Sequence, residues 1–432
     1  MSEPASASAN KPTESAHGTT TGWAAFRTPS FGFFIIVRII NGMSGVMLQL
    51  AIGWEVWRIF QDELILGLIG LALFAPNLLF FLVTGTVADR FARQRIMAAS
   101  YVSQAVCSYV LMAVLSDPMP SMPFVYAILF LLGTARAFSQ PAQQSILPTI
   151  VPTHHFSNGV AWSSSAHQLA VVIGPMIAGA LLLLGADVVF KAVSCGLLVG
   201  AFFILIVRTR GQEKARGPVT LESLMAGIRY IYNRQVILGA ITLDLFAVIS
   251  GSVNALLPVY VTDVLHTGPE GLGLLRASLA IGAVTCGLAL THIPVKRNAG
   301  RILLISVGVY GLATLLFGIS TSLYLSIGAL ALAGVADMVS VFIRASMIQL
   351  ATPDEMRGRV ASVHGMFTNA SGQLGDFRAG SVAAVLGAVP SVAIGAACTA
   401  ALAVLWAWKF PRLRNVDALA VESLREDADR GR

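Results

Sequence analysis

Polar and charged side chains recur at helical spacing within four long apolar runs of this sequence. Side chains three, four, seven or eleven positions apart lie on the same face of an α-helix. The four sets with this spacing are Arg38, Asn41 and Gln49; Arg136, Gln140 and Gln143; Asp337, Ser340 and Arg344; and Asn369, Gln373 and Asp376. Ionisable groups are costly in an apolar environment unless they face a cavity or a partner. We therefore expect the four stripes to point inward and to line a water-filled path.

Three carboxylates within apolar runs could carry a proton, namely Asp244, Asp337 and Asp376. A buried carboxylate can hold a proton near neutral pH and release it when water or a nearby arginine reaches it. The sequence does not rank the three. For Asp376 the alternative is a local ion pair that packs helices together and takes no part in the chemistry.

The stretch LGDFRAG, residues 374–380, places Asp376 and Arg378 two positions apart. Two such side chains point about 200° apart around a helix, so they cannot share a face. We expect Asp376 to continue its polar stripe. Arg378 is then expected to face a neighbouring helix or to extend outward to the membrane interface.

The elements that carry these side chains are predicted to be membrane-spanning helices. The chain has 432 residues, of which 56% are hydrophobic and 12% are charged, whereas a soluble domain has about 25% charged residues. About 20 apolar residues cross the hydrocarbon core of a lipid bilayer. The sequence predicts twelve such spans, at residues 31–57, 64–88, 96–116, 124–147, 159–184, 189–208, 236–260, 271–293, 302–320, 323–347, 361–386 and 389–409.

Lysine and arginine predict the orientation of these spans, because cytoplasmic connections carry an excess of both. With the N-terminus in the cytoplasm, the outer connections hold Arg58, Lys191 and Arg276. The rest of the 29 basic residues lie either on the cytoplasmic side or within the spans. Both termini are therefore expected in the cytoplasm. This distribution explains the net charge of +7 without a nucleic-acid partner.

A repeat divides the chain into two halves. VIGPMIAG at 172–179 and QLGDFRAG at 373–380 align Gly174 with Gly375 and Gly179 with Gly380, an offset of 201 residues. Two six-span halves in parallel orientation would face each other across a midplane cavity. The predicted organisation is a disordered tail at 1–28, a six-helix half at 29–208, a cytoplasmic linker with an amphipathic helix at 209–235, a second six-helix half at 236–410 and a tail at 411–432.

Two motifs resemble those of a known family. GTVADRFARQR, residues 85–95, resembles the signature loop G-x-x-x-D-R-x-G-R-[RK] of the major facilitator superfamily, although Ala92 replaces a glycine and Gln94 a basic residue. The second motif, IGPMIAG, resembles the G-P-x-x-G-G motif that exporters carry in span five, with Ala178 in place of one glycine. The matching residues are Gly85, Asp89, Arg90 and Arg93 in the first motif, and Gly174, Pro175 and Gly179 in the second.

Three further segments resemble the enterobactin-exporter and macrolide-efflux branch of this superfamily, namely LQLAIGWEVW, GTARAFSQPAQQSILPTIVP and QLGDFRAG. The resemblance covers nearly all of residues 31–410. It implies an all-α membrane protein of twelve helices in two pseudo-symmetric halves, with a gating role for the loop at 85–95. It also implies a monomer in the bacterial cytoplasmic membrane that exports an amphiphilic small molecule, a siderophore or a drug, in exchange for protons.

Two alternatives stay open, import of a similar solute and a membrane sensor that has lost transport. The sequence contains no recognisable nucleotide-binding loop of the type G-x-x-x-x-G-K-[ST], which argues against an ATP-driven pump. It also contains no recognisable H-E-x-x-H or Ser/His/Asp cluster, so no enzyme is predicted. We expect neither a cofactor nor a metal site.

Overall fold

The computed structural model describes residues 23–209, 221–293, 295 and 297–417, and these residues form helices and no strands. Most of the predicted tail at 1–28, part of the linker and most of the C-terminal tail lie outside the described residues. The helices are α1 (Pro29–Phe60), α2 (Glu63–Leu79), α3 (Phe81–Arg90), α4 (Arg93–Leu115), α5 (Met122–Ile150), α6 (Phe156–Leu182), α7 (Ala186–Ile206), α8 (Leu221–Tyr232), α9 (Gln235–Gly251), α10 (Leu257–Val259), α11 (Pro269–His292), α12 (Ala299–Ile319), α13 (Leu323–Ala351), α14 (Asp354–Leu386), α15 (Ala388–Lys409) and α16 (Pro411–Arg414).

Ten of the described helical segments are long and apolar enough to cross a membrane. Two others account for the remaining predicted spans. The first is residues 63–90, which form α2 and α3 with a break at Phe80, and Pro76 lies one turn before that break. Proline removes a backbone hydrogen bond and kinks a helix. The second is α14, a continuous helix that begins with a charged stretch. The predicted all-helical membrane fold is confirmed.

The seventh predicted span is not one continuous helix. The helix α9 ends at Gly251, a 3₁₀ turn covers Asn254–Leu256, and a π-helical turn covers Tyr260–Val264. Pro258 contributes to this interruption because it has no N–H to donate to the carbonyl of the residue one turn earlier. Backbone groups freed inside a membrane protein must find partners on neighbouring elements.

The amphipathic helix predicted in the linker is present as α8. Its residue Ile231 is 5% exposed and belongs to the same core cluster as Val363 of α14. The Tyr230 hydroxyl donates a hydrogen bond to the carbonyl of Ala351 at 3.2 Å. Helices of the C-terminal half therefore cover the apolar face of α8 at Ile231.

The apolar core is continuous across the two halves at one end of the bundle. We call the end at which α1 begins and α15 ends the terminal face, and the opposite end the distal face. One core cluster joins the N-terminal half to the distal part of the C-terminal half, including Tyr260, Phe317 and Ala383. The buried residues of a second cluster, which includes Met347 and Trp406, belong to the terminal part of the C-terminal half, and from the N-terminal half Phe81 packs against it. The halves are therefore packed together at the distal face.

Candidate functional site

A cavity of about 440 Å³ lies between the two halves, with α1, α2, α3 and α5 on one side and α14 on the other. It extends from the middle of α5 and α14 to the terminal ends of α3 and α14, so it runs toward the terminal face. The predicted path residues in its wall are Gln49, Arg136, Gln140, Asn369 and Gln373. The structure thus brings together residues from three of the four stripes.

The wall of this cavity combines one charge with polar and apolar groups. Arg136 is the one ionisable residue among the described residues that line it. Its Nη2 is buried without a hydrogen-bond partner, and so is Oε1 of Gln373. Phe74, Phe81 and Met366 supply apolar surface beside these polar groups. Such a mixed wall suits a molecule with both apolar and polar parts.

The other predicted path residues of the N-terminal half lie outside this wall. The Gln143 amide donates to the hydroxyl of Tyr101 at 3.4 Å, and Tyr101 is fully buried. Arg38 lies within electrostatic reach of Tyr101 and of His167. Asn41 is half-buried on α1. Gln143, Arg38 and the two aromatic side chains therefore form a polar cluster inside the N-terminal half.

An ion pair lies inside the C-terminal half. The Arg344 Nη1 atom is 2.9 Å from Oδ1 of Asp244, and the two side chains are 5% and 7% exposed. Asp337 is half-buried and lies within electrostatic reach of both. His364 of α14 lies within electrostatic reach of Arg344 and precedes Gly365, which lines the large cavity. This cluster therefore adjoins the cavity through α14, and within the described residues no three His, Cys, Asp or Glu side chains form a metal-binding group.

Arg378 satisfies the carbonyls at the interrupted end of α9. Its guanidinium donates to the carbonyl oxygens of Ile249 at 3.2 Å, of Ser250 at 2.6 Å and of Ser252 at 3.3 Å. It also donates to the carbonyl of Ser391 at 3.2 Å. A cation at this position opposes the partial negative charge of a helix C-terminus. Of the two positions expected for Arg378, against a neighbouring helix or extended to the membrane interface, the structure shows the first.

Asp376 lies on the other side of the same interruption. The Ser252 hydroxyl donates to its Oδ1 at 2.5 Å, and the carboxylate also accepts from the backbone N–H of Ala255. With Gln49 and Arg276 it lines a cavity of about 40 Å³, separate from the large one. Asp376 therefore borders a small pocket of mixed polarity, and Gln49 borders both cavities.

Arg276 was assigned to an outer connection from the sequence, but the structure places it in the small cavity. Its Nη2 donates at 3.4 Å to the carbonyl of Asn254, the group that Pro258 leaves without its helical donor. Its position five residues inside the predicted span 271–293 was the signal that could have identified it. His364 was also missed, because a lone histidine in an apolar run has no diagnostic spacing.

Arg378→Met is expected to destabilise the fold, because it leaves carbonyls at the helix interruption without their donor. Loss of hydrogen bonds from a charged donor to partly buried acceptors costs about 2–4 kcal/mol. The melting temperature of the purified protein, followed by tryptophan fluorescence, should fall by several degrees. Arg301→Met removes an exposed arginine of α12 and is the control. An equal melting temperature for both variants would contradict the capping role.

The predicted gating loop lies at the terminal end of the large cavity. Gly85 lines that cavity, and a Cβ atom added to it would meet no atom within 4 Å. Arg90 is exposed at the end of α3, whereas Arg93 is buried and donates to the carbonyl of Ser145 at 2.6 Å. Asp89 belongs to α3, and its side chain lies outside the described residues.

Two pairs of glycines join the halves at the distal face. A Cβ atom placed on Gly179 of α6 would lie 3.1 Å from Cα of Gly273 on α11. A Cβ atom placed on Gly380 of α14 would lie 2.8 Å from Cα of Gly67 on α2. Distances near 3 Å or below leave no room for a side chain, so these backbones touch. We call the two pairs the glycine contacts.

The other two residues of the span-five motif pack close to Gly179. Gly174 lies against α1, since an added Cβ would be 3.5 Å from Cβ of Val46. Pro175 is buried, and its carbonyl oxygen lies 2.6 Å from the position of a Cβ on Gly273. The motif therefore holds α6 against α1 within its own half and against α11 of the other half.

The sequence of the chain matches a known protein family over nearly its whole length. The family model described as transmembrane secretion effector matches residues 20–429. An enterobactin exporter of Citrobacter koseri is 25% identical over 381 residues, which cover 85% of this chain and 88% of the relative. An enterobactin exporter of Escherichia coli is 26% identical over 373 residues, with coverage of 84% and 86%.

Solved structures with the same fold are also transporters. A bacterial homologue of the human lysosomal transporter Spinster, inward-facing and occupied, has a TM-score of 0.72 at 14% identity and covers 90% of this chain and 98% of its own. An inward-facing bacterial homologue of the iron transporter ferroportin has a TM-score of 0.67 at 15% identity, with coverage of 89% and 98%. At these identities the likeness concerns the fold alone.

Proposed function

We propose, because the chain belongs to the transmembrane secretion effector family of the major facilitator superfamily, that it exports an amphiphilic small molecule in exchange for protons. The observation that carries this proposal is the cavity between the halves, which runs to the terminal face and is blocked by packed helices toward the distal face. Its wall of amides, one guanidinium and aromatic rings suits a solute of mixed polarity.

Alternating access follows from the same arrangement. The glycine contacts and a hydrogen bond from Trp57 Nε1 to Thr262 Oγ1 at 2.8 Å hold the halves together at the distal face. With both termini in the cytoplasm, this conformation takes up its substrate from the cytoplasmic side. Separation of the distal contacts and closure around the loop at 85–95 would then release the substrate outside.

Proton coupling is assigned to the ion pair between Asp244 and Arg344. Protonation of Asp244 would remove its negative charge and free Arg344 to interact with Asp337, which lies within reach. His364 lies within electrostatic reach of Arg344 and next to Gly365 of the cavity wall, so this change of charge occurs beside the cavity. Asp376 is ranked second as the proton carrier, because its carboxylate already accepts a hydrogen bond from the Ser252 hydroxyl at the interruption of α9.

The enterobactin exporters among its relatives favour a siderophore as the substrate, with a drug as the other member of the same chemical range. The excess of basic residues on one side supports a bacterial inner-membrane protein with both termini cytoplasmic. The chain alone supplies both halves of the cavity, so a monomer in the lipid bilayer suffices for transport.

The first test compares a deletion strain, its parent and a complemented strain under iron limitation by mass spectrometry of cells and medium. The expected result is one metabolite that falls outside the deletion strain and rises inside it. A metabolite that instead accumulates in the medium of the deletion strain would mean import, and no difference for any metabolite or added drug would favour a sensor.

The second test measures exchange for protons in everted membrane vesicles. The compound identified by mass spectrometry is added to vesicles with an imposed pH gradient, which a pH-sensitive acridine dye reports. Partial collapse of the gradient on addition is expected, and it should be absent in vesicles from the deletion strain. Transport that leaves the gradient unchanged would contradict proton exchange.

A further inference from the structure

We infer that the transported molecule is an acidic amphiphile and that Arg136 determines this preference by binding its anionic group. This inference rests on the proposed function, because it assigns a substrate class to the same cavity. The anionic group would be a carboxylate, an acidic phenol or a sulfonate, each of which accepts hydrogen bonds from a guanidinium.

The charge of the cavity wall carries the inference. Arg136 projects from α5, and no carboxylate is found among the described residues that line the cavity. A guanidinium stays protonated at any physiological pH. Its Nη2 is buried and has no hydrogen-bond partner on the protein. A buried, unpaired donor of positive charge is costly unless a ligand pairs with it, so an anion fits this cavity and a cation is repelled.

The neighbouring groups extend the same preference. Side-chain amides of Gln49, Gln140 and Asn369 supply further hydrogen-bond donors around the cavity. The polar cluster inside the N-terminal half contains Arg38 and His167. Arg136 in the cavity wall and Arg38 and His167 in this cluster are thus all side chains that are either positively charged or neutral.

The pseudo-symmetry of the chain separates this role from proton coupling. The offset of 201 residues that aligns the two repeat motifs also aligns Arg136 with Asp337, and Gln143 with Arg344. At equivalent places the N-terminal half thus has a lone cation, whereas the C-terminal half has a carboxylate beside an ion pair. The first arrangement suits binding of an anion and the second suits uptake of a proton.

The test uses two probes that share one fluorophore and differ in charge. Dansylglycine carries a carboxylate and dansylcadaverine carries an ammonium group. Each is titrated by fluorescence against the full-length protein in lipid nanodiscs, with empty nanodiscs as the measure of partition into lipid. The variants are Arg136→Gln, which removes the charge, and Arg136→Lys, which keeps it. Arg301→Gln, at an exposed arginine of α12, is the control.

The wild-type protein is expected to bind the anionic probe roughly tenfold more tightly than the cationic one, as for a charge-assisted hydrogen bond. Arg136→Gln should abolish this difference, Arg136→Lys should retain most of it, and Arg301→Gln should leave it unchanged. Equal or tighter binding of the cation by the wild type overturns the inference, and so does a preference for the anion that survives Arg136→Gln.

Failure of this inference and failure of the proposed function give different results. If the vesicles exchange protons for a cationic compound, the proposed export function stands and the substrate class is wrong. If the anionic probe is preferred through Arg136 but no compound is transported in the vesicles, the binding class stands and the transport function is wrong.

Discussion

Asp244→Asn is expected to abolish export driven by a pH gradient while leaving substrate exchange across vesicle membranes largely intact. Net export through a proton exchanger requires the carboxylate to bind and release a proton in each cycle. Exchange of labelled for unlabelled substrate requires alternating access but no net proton movement. The variant should therefore lose roughly tenfold or more of gradient-driven flux, equivalent to about 1.4 kcal/mol or more, and keep most of its exchange flux.

The same ion pair predicts an asymmetric effect on stability. Asp244→Asn takes the ion pair from the always-charged, buried Arg344, and because Asp337 within reach compensates only in part, the cost is about 1–3 kcal/mol. Arg344→Gln leaves a carboxylate that can become neutral by protonation, so it should cost less. The double variant removes both charges and should recover most of the stability. It should still fail in gradient-driven export, which separates the coupling role from a packing role.

A matched control is the exposed pair of Asp187 and Lys191, whose side chains are 48% and 59% exposed and 2.7 Å apart. Exposed pairs contribute little to stability, and this pair lies at the start of α7, remote from the cluster. Asp187→Asn should leave both fluxes at wild-type levels. Gradient-driven export by the Asp244→Asn variant at the wild-type rate would transfer the coupling role to Asp337 or Asp376.

Most of the helical architecture could be predicted from the sequence, because each span depends on local hydropathy. Helical geometry also sufficed to predict that Arg378 faces away from Asp376, since two residues on one helix that are two positions apart must face different neighbours. The same reasoning placed Arg136, Gln140 and Gln373 in a polar path, and the structure brings them to one cavity. These predictions needed no knowledge of which helices are neighbours.

The features that the sequence did not predict depend on contacts between helices. Arg378 and Arg276 lie beside the interruption of α9 and donate hydrogen bonds to the carbonyls that are freed there. In the sequence they come 127 and 25 residues after Gly251. Gln143 was expected in the path, but Gln144 lines the cavity instead. The cavity-facing residues of α5 recur at intervals of four, so their stripe advances about 40° with each step. Spacing alone could not show this drift.

Gly380→Ala is expected to weaken closure of the distal face and to reduce transport. The added methyl would lie 2.8 Å from Cα of Gly67, a backbone contact that no rotamer change can relieve. Gly179→Ala should act alike, since its methyl would lie 2.9 Å from the carbonyl oxygen of Pro269. Each variant should shift the population of conformations away from the distal-closed state, and the double variant should shift it further.

The measurement is labelling from outside the cell with a membrane-impermeant maleimide. The reporter is Gln49→Cys, which borders both cavities, in a chain whose four native cysteines are replaced by serine. Opening of the distal face should raise the labelling rate roughly tenfold for each alanine variant, the effect of a shift of about 1.4 kcal/mol between conformations. Unchanged labelling together with unchanged transport would show that the glycine contacts are not needed for closure.

Gly372→Ala is the control within α14, because a Cβ atom at Gly372 meets no atom within 4 Å. Both substitutions raise intrinsic helix propensity by about 1 kcal/mol, so a difference between them must come from the contact between helices. Ala178 and Ala379, one position before each motif glycine, are fully buried and accommodate a methyl. Among the repeat glycines, Gly179 and Gly380 therefore bring backbone against backbone between the halves, whereas Gly375 meets the backbone of α9 within its own half.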